Sequence, residues 1–390
     1  MIFRKHSEGS AVKVPEVRSD AMYICTTPFQ IMSAISLTVN RKERADIYID
    51  PQFADAGALA ERIRKQNIFD EVVLLEGISS IQAVRSASGK AARTRAILKL
   101  YRNIEEAAKE ILLPGKSYQR LYATHNVFVA NLLTLYISKY RIRTKICYYD
   151  DGEGSYDNRD IFRVSSLDKA AKRVSLGTKK MRSCRKYYMY SPELFQKMHP
   201  ENQIPVDQLP RFNRNPEVVR MLGEIFEISP EKGISEPVII LDALKEVVLS
   251  PEDDRRIVAL YDRLQREFGE DKVIVKRHPR DSRTYENPIR TYPYTTLPFE
   301  ITCLASEPSK MILVTLLSTA TIMPKLLLDE EPTIILLYHL FHRLEGDDED
   351  RDRFFALTKE TYRDPDRIQI PDTEEDMDRL IREIWERISA

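Results

Sequence analysis

Short apolar runs alternate with helical patterns along the first half of the chain. The runs are "MYICT", "DIYID", "VVLLE", "RLYAT" and "KICYYD", at residues 22–26, 46–50, 72–76, 120–124 and 145–150. Between them, stretches such as "AAKEILLP" and "VFVANLLTLYISKY" carry apolar residues three and four positions apart, the spacing of an amphipathic helix. Strands that alternate with helices predict a parallel sheet with helices on its faces.

The alternation restarts near residue 237 and predicts a second sheet of the same kind. Its runs are "PVIILD", "KVIVK", "MILVT", "PTIILLY" and "RIQIP", at residues 237–242, 272–276, 311–315, 332–338 and 367–371. The proline-rich "HPENQIPVDQLPRFNRNPE" between the two sets has few apolar residues and indicates a linker. We predict an α/β protein whose two Rossmann-like domains face a cleft, with ligands beyond the carboxyl ends of the strands. The predicted parts are a flexible leader at 1–20, an N-terminal Rossmann-like domain at 21–200, a linker at 201–217 and a C-terminal Rossmann-like domain at 218–390.

Length and composition agree with two domains and exclude some functions. The chain has 390 residues, and single cores seldom grow far beyond about 250 residues. Its 60 basic and 60 acidic residues cancel, so net charge gives no argument for a nucleic-acid partner. No G-x-G-x-x-G or P-loop motif occurs, which disfavours a dinucleotide enzyme or a P-loop NTPase. The sequence has no run of 18 apolar residues, the length that would predict a transmembrane helix.

The cysteines indicate the compartment. Cys25, Cys147, Cys184 and Cys303 lie far apart and lack the spacing of a zinc or redox motif. We interpret them as reduced thiols, which favours a cytoplasmic location.

An acidic turn follows the last predicted strand of the first set. In "YYDDGEGSY", Asp150, Asp151 and Gly152 stand at the strand end. Neighbouring carboxylates repel each other, which can raise a pKa, and this suits a general base. The alternative is an ordinary Asp-Gly turn that only ends the strand.

A basic cluster follows a predicted strand of the second set. In "KVIVKRHPRD", His278 and Pro279 stand among Lys276, Arg277 and Arg280. The proline restricts the backbone beside the imidazole, and the cations would attract a phosphate. A structural or surface histidine is the alternative.

Hydroxyl residues follow two further predicted strands. In "ILVTLLSTATIMPK", Ser318 and Thr319 stand where a helix start could seat a phosphate, although an ordinary Ser/Thr cap is the commoner explanation of such a pair. In "YICTTPFQ", Thr27 and Gln30 are weaker candidates for the cleft. Thr27 as a helix cap and Pro28 at the first helical position explain that turn without a ligand.

Eight basic residues gather between positions 169 and 186. A charge run of this kind is usually a solvated face, but contact with anionic lipid headgroups is an alternative. A nucleic-acid partner is not favoured, because no recognised nucleic-acid-binding fold accompanies the run. The residues are Lys169, Lys172, Arg173, Lys179, Lys180, Arg182, Arg185 and Lys186.

The sequence contains, in this order, Asp150-Asp151-Gly152, His278-Pro279 and Ser318-Thr319. This set resembles the three motifs of the bacterial sialyltransferases. The resemblance is strongest to the lipooligosaccharide sialyltransferases of glycosyltransferase family 52, with the capsular polysialyltransferases second, and covers roughly residues 20–340. It implies a GT-B fold, with the N-terminal domain on the acceptor side and the C-terminal domain binding the CMP-sugar. It also implies a CMP-sialic acid donor and a cell-surface glycan acceptor in lipooligosaccharide or capsule. It also implies inversion at the anomeric carbon and neither a metal ion nor another cofactor.

The resemblance also implies roles for individual residues. Asp151 would be the base, and Asp242 in "IILDALKE" is its rival, because some members place the base after the strand that precedes the His-Pro motif. His278 would stabilise the departing CMP phosphate. The donor-binding residues would be Pro279, Arg280, Ser318 and Thr319, and the cleft residues Asp150, Gly152, Thr27 and Gln30.

Two other functions stay open at this point. One is a transferase of the same architecture with another nucleotide sugar, such as CMP-Kdo. The other is a non-catalytic nucleotide-sugar-binding protein of capsule assembly. The sequence leaves open the acceptor, the linkage, single addition against polymerisation, and whether the protein is a homodimer. Peripheral attachment to the inner face of the cytoplasmic membrane is a hypothesis that rests on the basic run.

Overall fold

The computed structural model describes residues 17–124, 127–156, 166–177, 179–241, 250–278, 289–341 and 348–389. The described strands form a seven-stranded sheet and a five-stranded sheet. The first sheet contains β1 Val17–Cys25, β2 Ala45–Ile49, β3 Glu71–Leu74, β4 Lys116–Ala123, β5 Lys145–Tyr149, β6 Lys186–Met189 and β7 Val206–Gln208. The second contains β8 Val238–Leu241, β9 Val273–Lys276, β10 Ile312–Thr315, β11 Thr333–Leu336 and β12 Ile368–Gln369.

Helices fill most of the connections between these strands. In the first half they are α1 Pro28–Arg41, α2 Ala56–Lys65, α3 Ser79–Arg85, α4 Lys90–Arg102, α5 Ile104–Ile111, α6 Phe128–Lys139, α7 Ser166–Leu176 and α8 Pro192–Met198. In the second half they are α9 Pro216–Phe226, α10 Pro251–Phe268, α11 Phe299–Thr302, α12 Met323–Leu328, α13 Asp348–Lys359 and α14 Glu374–Ser389.

The first sheet has the strand order β3-β2-β1-β4-β5-β6-β7, and its pairs are parallel. This is the Rossmann order, in which the direction of winding reverses between β1 and β4. Residues 21–25 of β1 and all five residues of β2 are buried. Apart from Asp46, these buried residues are apolar or aromatic, because helices cover both faces of a parallel sheet.

The second sheet has the order β12-β11-β10-β8-β9, again with parallel pairs. Its winding reverses between β8 and β10, as in flavodoxin-like sheets. Every residue of β8, β9 and β10 is buried. Each sheet therefore has a topological switch point, where ligands bind in open α/β sheets.

The predicted α/β class and the two-sheet GT-B organisation are confirmed, and each of the ten predicted strands exists. Strands β6 and β7 were not predicted from the sequence. The latter lies inside the predicted linker at 201–217, where it pairs with β6 at the edge of the first sheet. Its three residues, which lie between Pro205 and Pro210, are too few to show an alternating pattern, so the prolines dominated the prediction. The division into domains otherwise stays a prediction.

Side chains from the two halves of the chain contact each other at several points. Arg211 forms an ion pair with Asp329 at 2.9 Å, and the Asn213 side-chain amide donates to the Leu328 carbonyl. Further along the chain, α13 returns to the first half, where Phe354 lies 6.0 Å from Tyr156 between ring centroids. These contacts join the two halves of the chain.

The four cysteines are free thiols, and three of them are buried. Within the described residues, every helix is either too short or too polar to cross a lipid bilayer.

Candidate active site

The turn after β1 places Gln30 in the interior of the first domain. Thr27 caps α1 by accepting the Gln30 N–H at 3.2 Å, with Pro28 at the start of the helix. This agrees with the predicted cap. The Gln30 side chain is 1% exposed, and its carbonyl oxygen accepts the Thr26 N–H at 2.6 Å and the Thr26 hydroxyl at 3.1 Å.

The amide nitrogen of Gln30 joins three neighbouring strand ends. It donates to Thr124 Oγ1 at 2.9 Å and to Asp151 Oδ1 at 2.9 Å. Thr124 follows β4 and Asp151 lies just beyond β5, whereas Gln30 lies in the first turn after β1. The network therefore spans the switch point between β1 and β4 and extends to β5.

Burial raises the pKa of Asp151 to about 6. Hydrogen bonds from Gln30 and Thr124 stabilise the ionised form and oppose this effect. A carboxylate with a pKa near neutral pH accepts a proton more readily than an ordinary surface aspartate. The geometry thus suits Asp151 to general-base chemistry.

Asp150 differs from its neighbour, and its predicted place in the cleft is corrected. Its side chain has no exposed surface. One carboxyl oxygen accepts the Gly152 N–H at 2.9 Å, while the other accepts the Tyr190 N–H at 3.0 Å and the Tyr156 hydroxyl. The carboxyl is needed inside the turn because these buried donors require an acceptor. Asp150 therefore positions Asp151 and cannot touch a ligand in this conformation.

The predicted cause of the raised acidic pKa values is also corrected. Burial is the main reason that the pKa of Asp150 rises to about 7, and the charge of Asp151 is the smallest contribution. Repulsion between adjacent carboxylates is thus a minor effect at this turn.

Gly152 brings the acidic turn against the second half. Its φ of +85° lies in the left-handed region that favours glycine. A Cβ on this residue would lie 3.7 Å from Met323 Cε, in the segment that follows Ser318 and Thr319. The acidic turn therefore lies close to Met323, in the segment that follows the Ser-Thr pair.

Ser318 and Thr319 lie beyond β10, at the switch point of the second sheet. The hydroxyl of Thr315 donates to the Leu241 carbonyl at 2.7 Å and accepts the Ser318 N–H at 3.0 Å. Ser318 precedes a 3₁₀ turn, but its side chain makes no capping hydrogen bond. Both hydroxyls are half-buried and form no hydrogen bond with any described residue. An ordinary cap therefore does not explain this pair.

His278 follows β9, which borders β8, and is half-buried. Lys276 at the end of β9 is buried, and its ammonium donates to the Thr295 carbonyl at 3.3 Å. Burial lowers the pKa of Lys276 to about 8, and the nearby carboxylate of Glu300 opposes this change. Positive charge thus stands at the strand end where the sequence predicts a phosphate.

Some predicted residues lie outside the described part of the chain. These are Asp242, Pro279 and Arg280. The choice between Asp151 and Asp242 as the base therefore stays a prediction. In the described ranges, no group of three or more His, Cys, Asp or Glu side chains is arranged to hold a metal ion.

Four polar residues of this region were not predicted from the sequence. Thr26, Thr124 and Thr315 each stand at or directly after the end of an apolar strand, so a search of every strand end for polar residues would have found them. Glu300 carries no such signal, because it lies in the short helix α11.

No protein-family model and no curated protein matches the chain. Among solved structures, it is similar to the UDP-GlcNAc 2-epimerase from Methanocaldococcus jannaschii, with 11% identity over 94% of this chain and 92% of that chain, at a TM-score of 0.49. It is also similar to a UDP-glucosyltransferase from Polygonum tinctorium capable of glucosylating indoxyl, with 10% identity over 96% and 99%, at a TM-score of 0.41. At these TM-scores neither likeness carries an argument about this chain.

Proposed function

We propose that the protein is a metal-independent, inverting glycosyltransferase that moves sialic acid from CMP-sialic acid to a hydroxyl of a cell-surface glycan. The observation that carries the proposal is the position of Asp151. Its carboxyl has a pKa raised to about 6 and is anchored by Gln30 at the switch point of the first sheet. A Cβ placed on Gly152, in the same turn, would lie 3.7 Å from Met323 Cε, in the segment that begins with Ser318 and Thr319.

In this mechanism Asp151 accepts the proton of the acceptor hydroxyl. The acceptor oxygen attacks the anomeric carbon of sialic acid from the face opposite to CMP. The bond from that carbon to the phosphate oxygen breaks, and CMP leaves with the bonding electrons. Attack from the opposite face inverts the anomeric configuration. A base with a pKa near 6 is ionised at neutral pH and still basic enough to assist the attack.

The second sheet would bind the departing phosphate. The hydroxyls of Ser318 and Thr319 are placed to donate hydrogen bonds to it, and His278 would donate another. Lys276 and Arg277 add positive charge at the end of β9, which pairs with β8. Donors that are fixed before the reaction stabilise negative charge as it develops, which lowers the barrier to departure.

The preference for CMP-sialic acid rests on the order of the three motifs and their resemblance to the sialyltransferases. Their placement at strand ends supports it, because the acidic turn and the Ser-Thr pair each lie by a switch point. The acceptor would be a lipooligosaccharide or capsular glycan.

A donor panel tests the proposal. The protein is incubated without acceptor with CMP-sialic acid, CMP-Kdo and UDP-glucose, and nucleotide release is measured. We expect slow release of CMP from CMP-sialic acid and acceleration when a glycan acceptor is added. Turnover of the UDP-sugar alone would refute the assignment of the donor. Binding of CMP-sialic acid without turnover, with or without acceptor, would favour the non-catalytic alternative.

A further inference from the structure

A basic pocket lies at the amino-terminal edge of the first sheet, opposite to the candidate active site. It has a volume of about 520 Å³ and is lined by Ser138, Arg141, Lys179, Lys180 and Arg182. This volume falls within the roughly 300–1,000 Å³ range of ligand sites in proteins. The basic run of the sequence supplies three of the four cations, and a distant loop supplies Arg141.

Two loops form the pocket and are held together by specific hydrogen bonds. One follows α6 and leads into β5, and the other follows α7 and leads toward β6. The buried Ser138 hydroxyl accepts the Arg182 N–H at 2.9 Å. The guanidinium of Arg182 donates to the Thr144 carbonyl at 3.4 Å and the Arg141 carbonyl at 3.3 Å. The walls are therefore fixed by the fold.

Cations near the carboxyl ends of helices are common because they offset the helix dipole. This explains Lys179, whose ammonium donates to the Lys139 carbonyl at 3.1 Å at the end of α6. It does not explain Arg141 and Lys180, whose exposed side chains form neither a hydrogen bond nor an ion pair with any described residue. The nearby Glu105 is engaged by Lys109 at 2.8 Å and by the Tyr140 hydroxyl.

The backbone at Arg141 gives a second indication. Its φ is +55°, in the left-handed region where glycine or asparagine is the usual residue. An arginine here places a charge at the pocket that the turn itself does not require.

We propose that this pocket binds a phosphate group and that an anionic phospholipid supplies it. Four cations without a facing carboxylate among the described residues match a phosphate ester. The exposed Lys172, Arg173 and Arg185 extend the positive charge along the same run, which favours an anionic surface over a small soluble anion. The five residues of β5 separate this edge from the acidic turn by about 16 Å, so the pocket is distinct from the active site.

Vesicle flotation with the full-length protein tests this proposal. The vesicles contain phosphatidylcholine, with or without phosphatidylglycerol. The test variant is Arg141→Gln with Lys180→Gln, and the control is Lys65→Gln with Arg255→Gln. The control removes two exposed cations outside the pocket, so both variants lose the same charge. Unchanged melting temperature and CMP release show that each variant is folded.

We expect binding only to vesicles with phosphatidylglycerol, weakened about tenfold or more in the pocket variant and little changed in the control. Equal loss in both variants, or no loss in the pocket variant, would overturn the proposal. A second outcome would also overturn the proposal. In it, the protein does not bind vesicles, and soluble glycerol phosphate raises the melting temperature of the unmodified protein but not that of the pocket variant. Capture by a sulfated polysaccharide but not by vesicles would also overturn it.

Discussion

The switch points of the two sheets use their polar groups in opposite ways. At the first, Gln30 satisfies Thr26, Thr124 and Asp151 within a closed network. At the second, Ser318 and Thr319 keep hydroxyls that no described residue engages. A satisfied buried network fixes one carboxylate and adjusts its pKa, whereas unused donors are available to a ligand. Under the proposed function, this difference would assign proton transfer to the first sheet and donor binding to the second.

The largest expected effect comes from removing the charge of Asp151. Asp151→Asn should lower kcat by about 100-fold or more, the scale of lost general-base catalysis. Affinity for CMP should hardly change, because in the proposed function the second sheet would bind the nucleotide. Steady-state kinetics and CMP titration separate the two effects. Asp242→Asn is the matched variant, and a crippling effect there with a mild one at Asp151 would move the base to Asp242.

The unused hydroxyls of the second sheet should behave in the opposite manner. Ser318→Ala with Thr319→Val should weaken CMP binding about tenfold, since hydrogen bonds to a charged group are lost. The free energy of unfolding should change by less than about 0.5 kcal/mol. Calorimetric titration and denaturant unfolding measure these quantities.

Thr321→Val is the control for this pair, because the Thr321 hydroxyl already donates to the Ser318 carbonyl at 3.0 Å. It should lower the free energy of unfolding by about 1 kcal/mol and leave CMP affinity unchanged. Equal loss of affinity in the control would mean that only the shape of the turn matters.

The acidic turn requires glycine at one of its two glycine positions. Gly152→Ala should lower the free energy of unfolding by about 1–2 kcal/mol, because alanine is strained at positive φ. Gly154→Ala should be nearly neutral, since its Cβ would have no atom within 4 Å and its φ is not positive. Urea unfolding of both variants measures the difference, and equal losses would contradict this account of the turn.

The smallest effect concerns the pH dependence of catalysis. Asp151 must be ionised to accept a proton, so activity should fall as pH drops through about 6. Gln30→Leu removes a hydrogen bond that favours the ionised form, so the acid limb should move to higher pH by about one unit. The profile of kcat against pH measures this shift.

Ser33→Ala is the control on the same helix. It removes a buried hydroxyl that contacts Tyr190 at 2.9 Å. It should cost stability without moving the acid limb, whereas a shift equal to that of Gln30→Leu would indicate a general loosening of α1.

The sequence predicted the strands well because each sheet is buried on both faces. Residues 21–25 of β1 and residues 312–314 of β10 are therefore apolar runs, each followed by a threonine. Edge strand β7 lacked this signal, because it is short and lies among prolines. The buried strands and the residues that end them could thus be predicted from the sequence, whereas the edge strand β7 could not.

The candidate site was predicted only in part. Asp151, Ser318 and Thr319 could be singled out because they follow strands, and their roles stay predictions. The different roles of Asp150 and Asp151 could not be read from the sequence, since they depend on which carboxyl meets the Tyr190 and Gly152 N–H groups. The role of Gln30 in joining β1, β4 and β5 likewise depends on the strand order.

The central claim is that a base on the first sheet and a phosphate seat on the second sheet share one cleft. A crystal structure of the complex with CMP tests it most directly. The account predicts that the phosphate accepts hydrogen bonds from Ser318 or Thr319 and that the carboxylate of Asp151 faces the space beside it. A phosphate bound away from both hydroxyls, or a carboxylate turned away from the nucleotide, would contradict the account.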